Sequence, residues 1–289
     1  MDWERAKNIL LITFLCINIF LGYKIWTSYQ SPFLSAMITD EQRAEVKQQL
    51  EAHNIVFDGE IPGEVFSTEF LKVSKLPIDA RELLHRFDVS TFSSERSEEQ
   101  TVFVSEDEQL VITQTETGKI EIIFKEAYNQ EGELTLSEEK AREEAEELFD
   151  LISAPDNLSY YGNVSQNPDT YHLKYYQTFD DTPIFGGQLS VIVTEEGVTS
   201  LKGYLLEKEG FMEESMEVIP ATMALLRLID HLDPEESYQI SDLTFGYYTE
   251  DYLADEWEAV PVWRTEIDQR YTYYNNAFTG ELEKKEGYN

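Results

Sequence analysis

An apolar stretch near the start of the chain places the strongest constraint on what it can fold into. Residues 8–26 contain a single charged side chain, Lys24. An α-helix of 19 residues is about 28 Å long, close to the thickness of a bilayer core. Lys24 lies near the end of the stretch, where its ammonium can reach the lipid headgroups, and Tyr23 and Trp26 are typical interfacial residues. The stretch therefore predicts a transmembrane helix.

The residues that follow favour a retained anchor over a cleaved signal peptide. The apolar stretch ends in bulky, aromatic residues, whereas a signal peptidase site needs small ones, and Ser35-Ala36 lies well past it. Arg5 and Lys7 precede the stretch, so the positive-inside rule predicts a cytoplasmic N-terminus. We expect a single-pass protein of the cell membrane with most of its chain outside the cytoplasm. The predicted parts are a cytoplasmic tail (1–7), the helix (8–26) and a tether (27–38).

Charge excludes one class of partner. The chain has 22 Lys and Arg against 57 Asp and Glu, a net charge of −35. Such a surface repels nucleic acid phosphates, so we expect no nucleic acid partner. With 42% hydrophobic residues the chain can still build a packed core. Its one cysteine, Cys16, lies in the apolar stretch, so the region beyond it needs no disulfides, which fits a bacterial envelope.

The first half of the remaining chain predicts a small α+β domain over residues 39–128. Thr39 and Gln42 are spaced as a capping box, which predicts a helix to about His53. Turn residues then separate short extended pieces. Three segments with alternating apolar residues predict strands: 101–104, 109–113 and 119–125.

The second half, 134–289, repeats an order of one helix followed by strands. Ser137 predicts the start of one helix and Pro155 its end, and an apolar stripe after Pro220 predicts another. Strands are predicted after each helix: 171–179, 188–194, 198–206, 239–249, 259–268 and 271–277. The economical interpretation is an α+β fold with two helix-sheet units, at about 134–210 and 216–289, in which helices pack on antiparallel sheets.

The sequence contains no pattern typical of catalysis or metal binding. Its four histidines lack ligand spacing, and there is no nucleophile elbow, phosphate-binding loop or dinucleotide fingerprint. Acidic residues are so abundant that a pair such as Asp180-Asp181 more simply predicts a turn. We therefore expect no enzyme activity, no cofactor and no metal.

Aromatic residues of the second half suggest a contact surface. In adjacent aromatic pairs on a strand, the two rings point to opposite faces, so some rings are expected on an exposed face. Four residues form the predicted partner interface: Tyr247, Tyr248, Trp257 and Trp263. Ordinary sheet packing explains the same enrichment equally well, because aromatic residues favour strands.

Within the predicted anchor, one polar residue defines a possible contact face. Asn18 in hydrocarbon favours a hydrogen bond to another helix, worth roughly 0.6–2 kcal/mol. Leu11, Leu15 and Gly22 lie on about the same helix face. These residues are the predicted transmembrane contact. The alternative is that Asn18 is merely tolerated there.

Several segments resemble the YycI family of Gram-positive bacteria. They are MDW at 1–3, TFDDTPIFGGQL at 178–189, PVWRT at 261–265 and YNNAFTGE at 274–281. The last two also look like the PepSY-type units of bacterial envelope proteins. The resemblance implies a single-pass membrane protein that associates with a YycH-like partner. It also implies regulation of the cell-wall sensor histidine kinase WalK (YycG), and through it WalR (YycF), by contacts of the anchor.

A second class of function stays open at this point. PepSY-type units also occur in propeptides that restrain proteases, so the alternative is an envelope enzyme, or an inhibitor or chaperone of an envelope protease. An enzyme should show a pocket with converging titratable groups, whereas a regulator should show an exposed apolar patch.

Overall fold

The computed structural model describes residues 13–14, 17–18, 37–128, 136–163, 165, 167, 169–268 and 270–287. Most of the predicted anchor, including Leu11, Leu15 and Gly22, lies outside the described residues. Asn18 is described, and it is helical and exposed. Among the described residues, no helix combines the length and the apolarity needed to cross a bilayer.

From residue 37 onward the described chain is an α+β fold. Its helices are α1 (Asp40–Ala52), α2 (Ala80–Arg86), α3 (Glu138–Ile152) and α4 (Ala221–Leu228), the last continued by a 3-10 turn (Ile229–His231). Its strands are β1 (Ile55–Phe57), β2 (Ser67–Thr68), β3 (Leu71–Leu76), β4 (Phe92–Arg96), β5 (Gln100–Ser105), β6 (Leu110–Thr115), β7 (Ile120–Tyr128), β8 (Leu158–Asn163), β9 (Thr170–Phe179), β10 (Thr182–Thr194), β11 (Gly197–Phe211), β12 (Met216–Glu217), β13 (Tyr238–Tyr248), β14 (Glu256–Ile267), β15 (Tyr271–Asn276) and β16 (Leu282–Gly287).

Local sequence signals set the helix starts. The capping box of α1 is confirmed: the Thr39 hydroxyl accepts from the Gln42 amide, and the Gln42 side chain accepts from the Thr39 amide at 2.9 Å. The Ser137 hydroxyl likewise accepts from the Lys140 amide at the start of α3. Each bond satisfies a backbone donor that the first helical turn leaves without a partner.

The chain forms two lobes, each with helices packed on a sheet. In the first lobe, eight antiparallel strands run in the order β8-β9-β10-β11-β7-β6-β5-β4, and α2 and α3 share one core with them. In the second lobe, β1, β13, β14, β15 and β16 form the sheet, and α1 and α4 share its core. Alternating residues such as Leu189, Val191 and Val193 supply the buried face.

A closed ring of five strands joins the lobes. Strand β3 pairs with β11 of the first lobe and with β14 of the second. Strand β10 pairs with β11 and, in parallel, with β13, which in turn pairs with β14. The side chains inside the ring are Leu71, Val73, Ile184, Tyr204, Leu206, Tyr247 and Ala259. Backbone pairing therefore continues from one lobe into the other.

Strand β10 crosses from one lobe to the other at the Gly186-Gly187 pair. Leu206 of β11 pairs with Lys75 of β3 on one side. On the other side, β10 shifts its register with β9 between Ile184 and Gln188 and pairs with β11 only as far as Tyr204, so Leu206 has no strand partner there. The buried amide of Gln177 takes that place: it donates to the Leu206 carbonyl at 2.9 Å and accepts from the Leu206 amide at 2.7 Å. A Cβ at position 187 would overlap the Gln177 amide oxygen, so glycine is needed there.

The predicted domain over residues 39–128 is wrong as a unit with its own core. Its first helix, α1, and β1 belong to the second lobe, whereas α2 and β4–β7 belong to the first, and β3 lies in the ring. The helix-sheet regions after residue 134 each contribute to one lobe, with α3 preceding β8–β11 and α4 preceding β13–β16. Hydrophobic periodicity predicts elements, but the distant strands with which they pair are set by tertiary packing.

Candidate functional site

The four aromatic residues predicted to form a partner interface lie close to the lobe junction. Their expected exposure is wrong for three: Trp263 is 1% exposed, Tyr247 4% and Tyr248 9%. Trp257 is half-buried, and its indole donates to the Thr249 hydroxyl at 2.6 Å. Trp263 belongs to the second core and donates to the Ile219 carbonyl at 2.9 Å. Three of the four are therefore packing residues and do not form an exposed face.

The adjacent pair Tyr247 and Tyr248 shows why the predicted exposure is wrong. The two rings do point to opposite faces of β13, as the pleat requires. Tyr247 points into the five-strand ring, where its hydroxyl lies 2.7 Å from the Thr68 hydroxyl. Tyr248 stacks on Tyr274, with ring centroids 4.5 Å apart. Both faces of β13 are covered at this end, one by the ring and the other by a second aromatic cluster.

That second cluster contains a fully buried arginine. Arg264 of β14 is 0% exposed, and its guanidinium lies 4.2 Å from the ring centroid of Tyr161 and 5.5 Å from that of Phe185. It donates to Asp242 at 3.0 Å and lies 3.7 Å from the Glu266 carboxylate. The rings belong to the first lobe and the carboxylates to the second. Arg264 thus adds a charged contact to the strand pairing between the lobes.

The hydrogen bonds around Arg264 form a chain. Arg264 donates to the Tyr161 hydroxyl, which donates to Glu266. Burial raises the pKa of Tyr161. Burial acts to lower the pKa of Arg264, but the neighbouring tyrosines outweigh it, and the pKa of Arg264 lies above its ordinary value. The cluster therefore holds a permanent positive charge beside two carboxylates at neutral pH.

A polar groove lies on the face of the first lobe opposite α3. Two adjoining cavities of about 410 and 260 Å³ share Lys119, Gln188 and Gly203 in their lining. Lys119 pairs with Asp251 at 2.8 Å. Burial acts to raise the pKa of Asp251, but hydrogen bonds from Lys119 and Thr117 and the charge of Lys119 together outweigh it, so this pKa lies below its ordinary value. Lys284 similarly pairs with Glu250 at 2.6 Å. In both pairs a positive side chain is neutralised by a negative one, so the groove has no strong excess of either charge.

An aromatic pocket opens at one end of the five-strand ring. We give this name to a cavity of about 290 Å³ whose aromatic lining consists of Phe66, Phe179, Phe211, Phe245 and Tyr247. Glu64, Asp180, Thr68 and Thr182 also line it. The predicted turn at Asp180-Asp181 is confirmed, since both residues have positive φ and link β9 to β10. Of the predicted interface residues, Tyr247 is the one that reaches this pocket.

The described side chains give no support for metal binding. No group of three or more His, Cys, Asp or Glu residues within the described ranges is arranged to hold a metal ion. His172 is half-buried, and burial lowers its pKa. The features that the structure brings together are packing and charge contacts at the lobe junction, and the aromatic pocket beside it.

The sequence patterns do not predict a role for Arg264, Gln177 or the aromatic pocket. A signal for Arg264 exists: on β14 it is in phase with Val260 and Val262, so a charged side chain occupies a position that the alternation makes apolar. Gln177 follows two buried tyrosines but has no such pattern. The pocket is assembled from six strands with an adjoining loop and turn, and no local motif predicts it.

Comparisons with known proteins bear on the family and the fold. A sequence profile of the family described as YycI protein matches residues 35–278. Among solved structures, an uncharacterized protein from Eubacterium rectale matches with a TM-score of 0.51 and 14% identity, over 81% of this chain and 86% of that chain. The C-terminal domain of YpeB from Bacillus megaterium matches with a TM-score of 0.41 and 11% identity, over 75% of this chain and 99% of that one. No curated protein sequence gives a significant match.

Proposed function

The chain belongs to the YycI family, and we propose from this premise that it is a regulatory membrane protein of the WalK (YycG) cell-wall histidine kinase system. The observation that carries the proposal is the family match over residues 35–278, which includes the first lobe, the ring and all of the second lobe except β16. The apolar stretch at 8–26 supports membrane attachment, because its length suits a bilayer core.

In this proposal the two ends of the protein have different tasks. The lobed region lies outside the cytoplasm and binds a YycH-like single-pass protein. The anchor contacts a transmembrane helix of the kinase through Leu11, Leu15, Asn18 and Gly22. Such contacts change kinase activity only if they differ in free energy between the active and inactive states of the kinase. Continuous strand pairing between the lobes supports the lobed region acting as one rigid body.

Co-purification of the full-length protein, solubilised from its own membranes, tests the proposal. We expect to recover the histidine kinase and a second single-pass protein. Recovery of an envelope protease in their place would favour the alternative of a protease inhibitor or chaperone. Recovery of neither kinase nor single-pass partner would contradict the proposed function.

A substitution in the anchor tests the kinase contact separately. We expect Asn18→Leu to reduce the signal with the kinase in a membrane two-hybrid assay by about three- to thirtyfold, because an interhelical hydrogen bond is worth roughly 0.6–2 kcal/mol. Ile17→Leu, one residue along the same helix, serves as the control and should leave the signal unchanged. An undiminished signal with Asn18→Leu would remove this contact from the proposal.

A further inference from the structure

The aromatic pocket combines ring faces with carboxylates at its mouth. Phe66 and Phe245 meet edge to face with centroids 4.8 Å apart, and Tyr247 lies 6.0 Å from Phe245 and 6.3 Å from Phe211. Glu64 and Asp180 are the acidic residues of the lining. Aromatic faces attract cations through their negative face charge, and a nearby carboxylate adds to that attraction.

The chain already places one of its own cations at this site. Lys208 pairs with Asp180, and its ammonium lies 4.5 Å from the ring centroid of Phe211. Glu64, in contrast, is exposed and pairs with no cation in the part of the chain that the structure describes. One carboxylate of the pocket is therefore neutralised, and the other is available.

Exposed apolar side chains continue outward from the pocket. Phe211, Met212 and Met216 are 45%, 39% and 40% exposed. Met216 pairs in register with Thr68 of the pocket lining, and the Met212 amide donates to the Phe70 carbonyl. These three residues form what we call the apolar shoulder. Exposed apolar side chains beside a pocket are typical of a protein interface, whereas binding of a small cation would not require them.

We propose that the aromatic pocket and the apolar shoulder together bind a segment of a protein partner that presents an arginine or lysine side chain flanked by apolar residues. The pocket takes the cationic side chain, and the shoulder takes its apolar neighbours. The proposal rests on the proposed function in that it supplies a protein partner for the lobed region. It specifies the chemistry by which that partner is recognised.

Charge complementarity decides between this occupant and others. An apolar side chain in the pocket would remove water from Glu64 without giving it a partner, which is unfavourable. An acidic segment would be repelled by Glu64, by Asp180 and by the net charge of −35. A cationic side chain gains from both the rings and the carboxylate.

Binding of two matched peptides to the full-length protein in detergent tests the proposal. The probe is a fluorescein-labelled peptide, Ile-Leu-Arg-Leu-Ile, and its control replaces arginine with neutral citrulline of nearly the same shape. Fluorescence anisotropy should give an affinity about five- to tenfold higher for the arginine peptide, the range expected of a cation on an aromatic face beside a carboxylate. Equal affinity for the two peptides, or no binding of either, would overturn the proposal.

Four variants locate the binding. Glu64→Gln and Phe211→Leu should each reduce the preference for arginine to about twofold or less. The matched controls Glu195→Gln and Tyr252→Leu change an exposed acid and an exposed aromatic ring elsewhere, and should leave the preference unchanged. Unchanged thermal unfolding midpoints will show that the variants are folded. A preference that survives both pocket substitutions would place the binding elsewhere and overturn the proposal.

Removal of Lys208 gives a test with the opposite sign. Lys208→Gln frees Asp180 and the face of Phe211, so arginine peptide affinity should rise by about threefold. A fall in affinity would contradict the proposed competition. The proposed function is tested independently, since its failure shows as the loss of kinase and partner from the wild-type co-purification while the peptide preference persists.

Discussion

Replacement of Arg264 by methionine removes the charged contact between the lobes and keeps an unbranched apolar stem. Loss of one partner of a buried ion pair costs about 3–5 kcal/mol, and a cation on aromatic rings contributes about 0.5–2 kcal/mol. Asp242 retains solvent contact with 39% of its side chain exposed, whereas Glu266 has only 13%. We therefore expect Arg264→Met to lower the free energy of unfolding by about 2–4 kcal/mol.

Urea unfolding of the full-length protein, followed by tryptophan fluorescence, measures this loss, since Trp263 is the preceding residue in the chain. Arg142 offers a matched control: it lies 4.5 Å from the ring centroid of Tyr160 and 3.7 Å from Glu146, but its side chain is 44% exposed. Arg142→Met should cost under about 1 kcal/mol, because water screens an exposed pair. The loss of unfolding free energy for Arg264→Lys should lie between those for Arg142→Met and Arg264→Met, because an ammonium cannot fork between two carboxylates. Equal losses for Arg142→Met and Arg264→Met would refute the assignment of a burial-dependent contact.

Two further predictions concern the first lobe. Gln177→Leu should destabilise the protein by about 2–5 kcal/mol in urea unfolding, because it leaves the buried amide and carbonyl of Leu206 without partners; a loss below about 1 kcal/mol would contradict this role. Burial, assisted by the charges of Lys174 and Lys202, lowers the pKa of His172 below its ordinary 6.5. As the pH falls, His172 of the unfolded chain therefore takes up a proton before His172 of the folded chain does. The contribution to stability should be full above pH 6.5 and decrease below it. His172→Gln should reduce the loss of unfolding free energy measured between about pH 7.5 and about pH 5.5. An unchanged loss would contradict this role of His172.

Most of the elements could be predicted from sequence. The alternation of Ile120, Ile122 and Phe124 identifies β7 because all three side chains face one core. The helix starts at Thr39 and Ser137 are equally predictable from sequence, since capping depends on residues within one turn. Strand β16, with the sequence LEKKEG, was not predicted, because a mostly polar edge strand carries no apolar alternation.

The arrangement of elements could not be predicted in the same way. Nothing local in Leu71 or Val73 indicates that β3 pairs with two distant strands. Nor does the local sequence indicate that α1 and β1 pack in the second lobe, away from β4–β7. The same limit applies to the aromatic pocket. Phe66, Phe179 and Phe211 are far apart in sequence and meet only once the ring has closed. Burial of Tyr248 and Trp263 likewise depends on strands that cover them from elsewhere in the chain.

The ring of five strands also dictates an order of events when the chain is made. Strands β1 and β3 find their partners in β13 and β14, more than 180 residues further along the chain. A nascent chain emerges N-terminus first, so β1, the edge of β3 that pairs with β14, and the apolar face of α1 stay without their partners until most of the sequence has been made. A chain that stops before β14 can close neither the ring nor the second core. Such fragments leave the apolar residues of α1 and β1 unpacked, so they should depend on chaperones and be cleared by quality-control proteases.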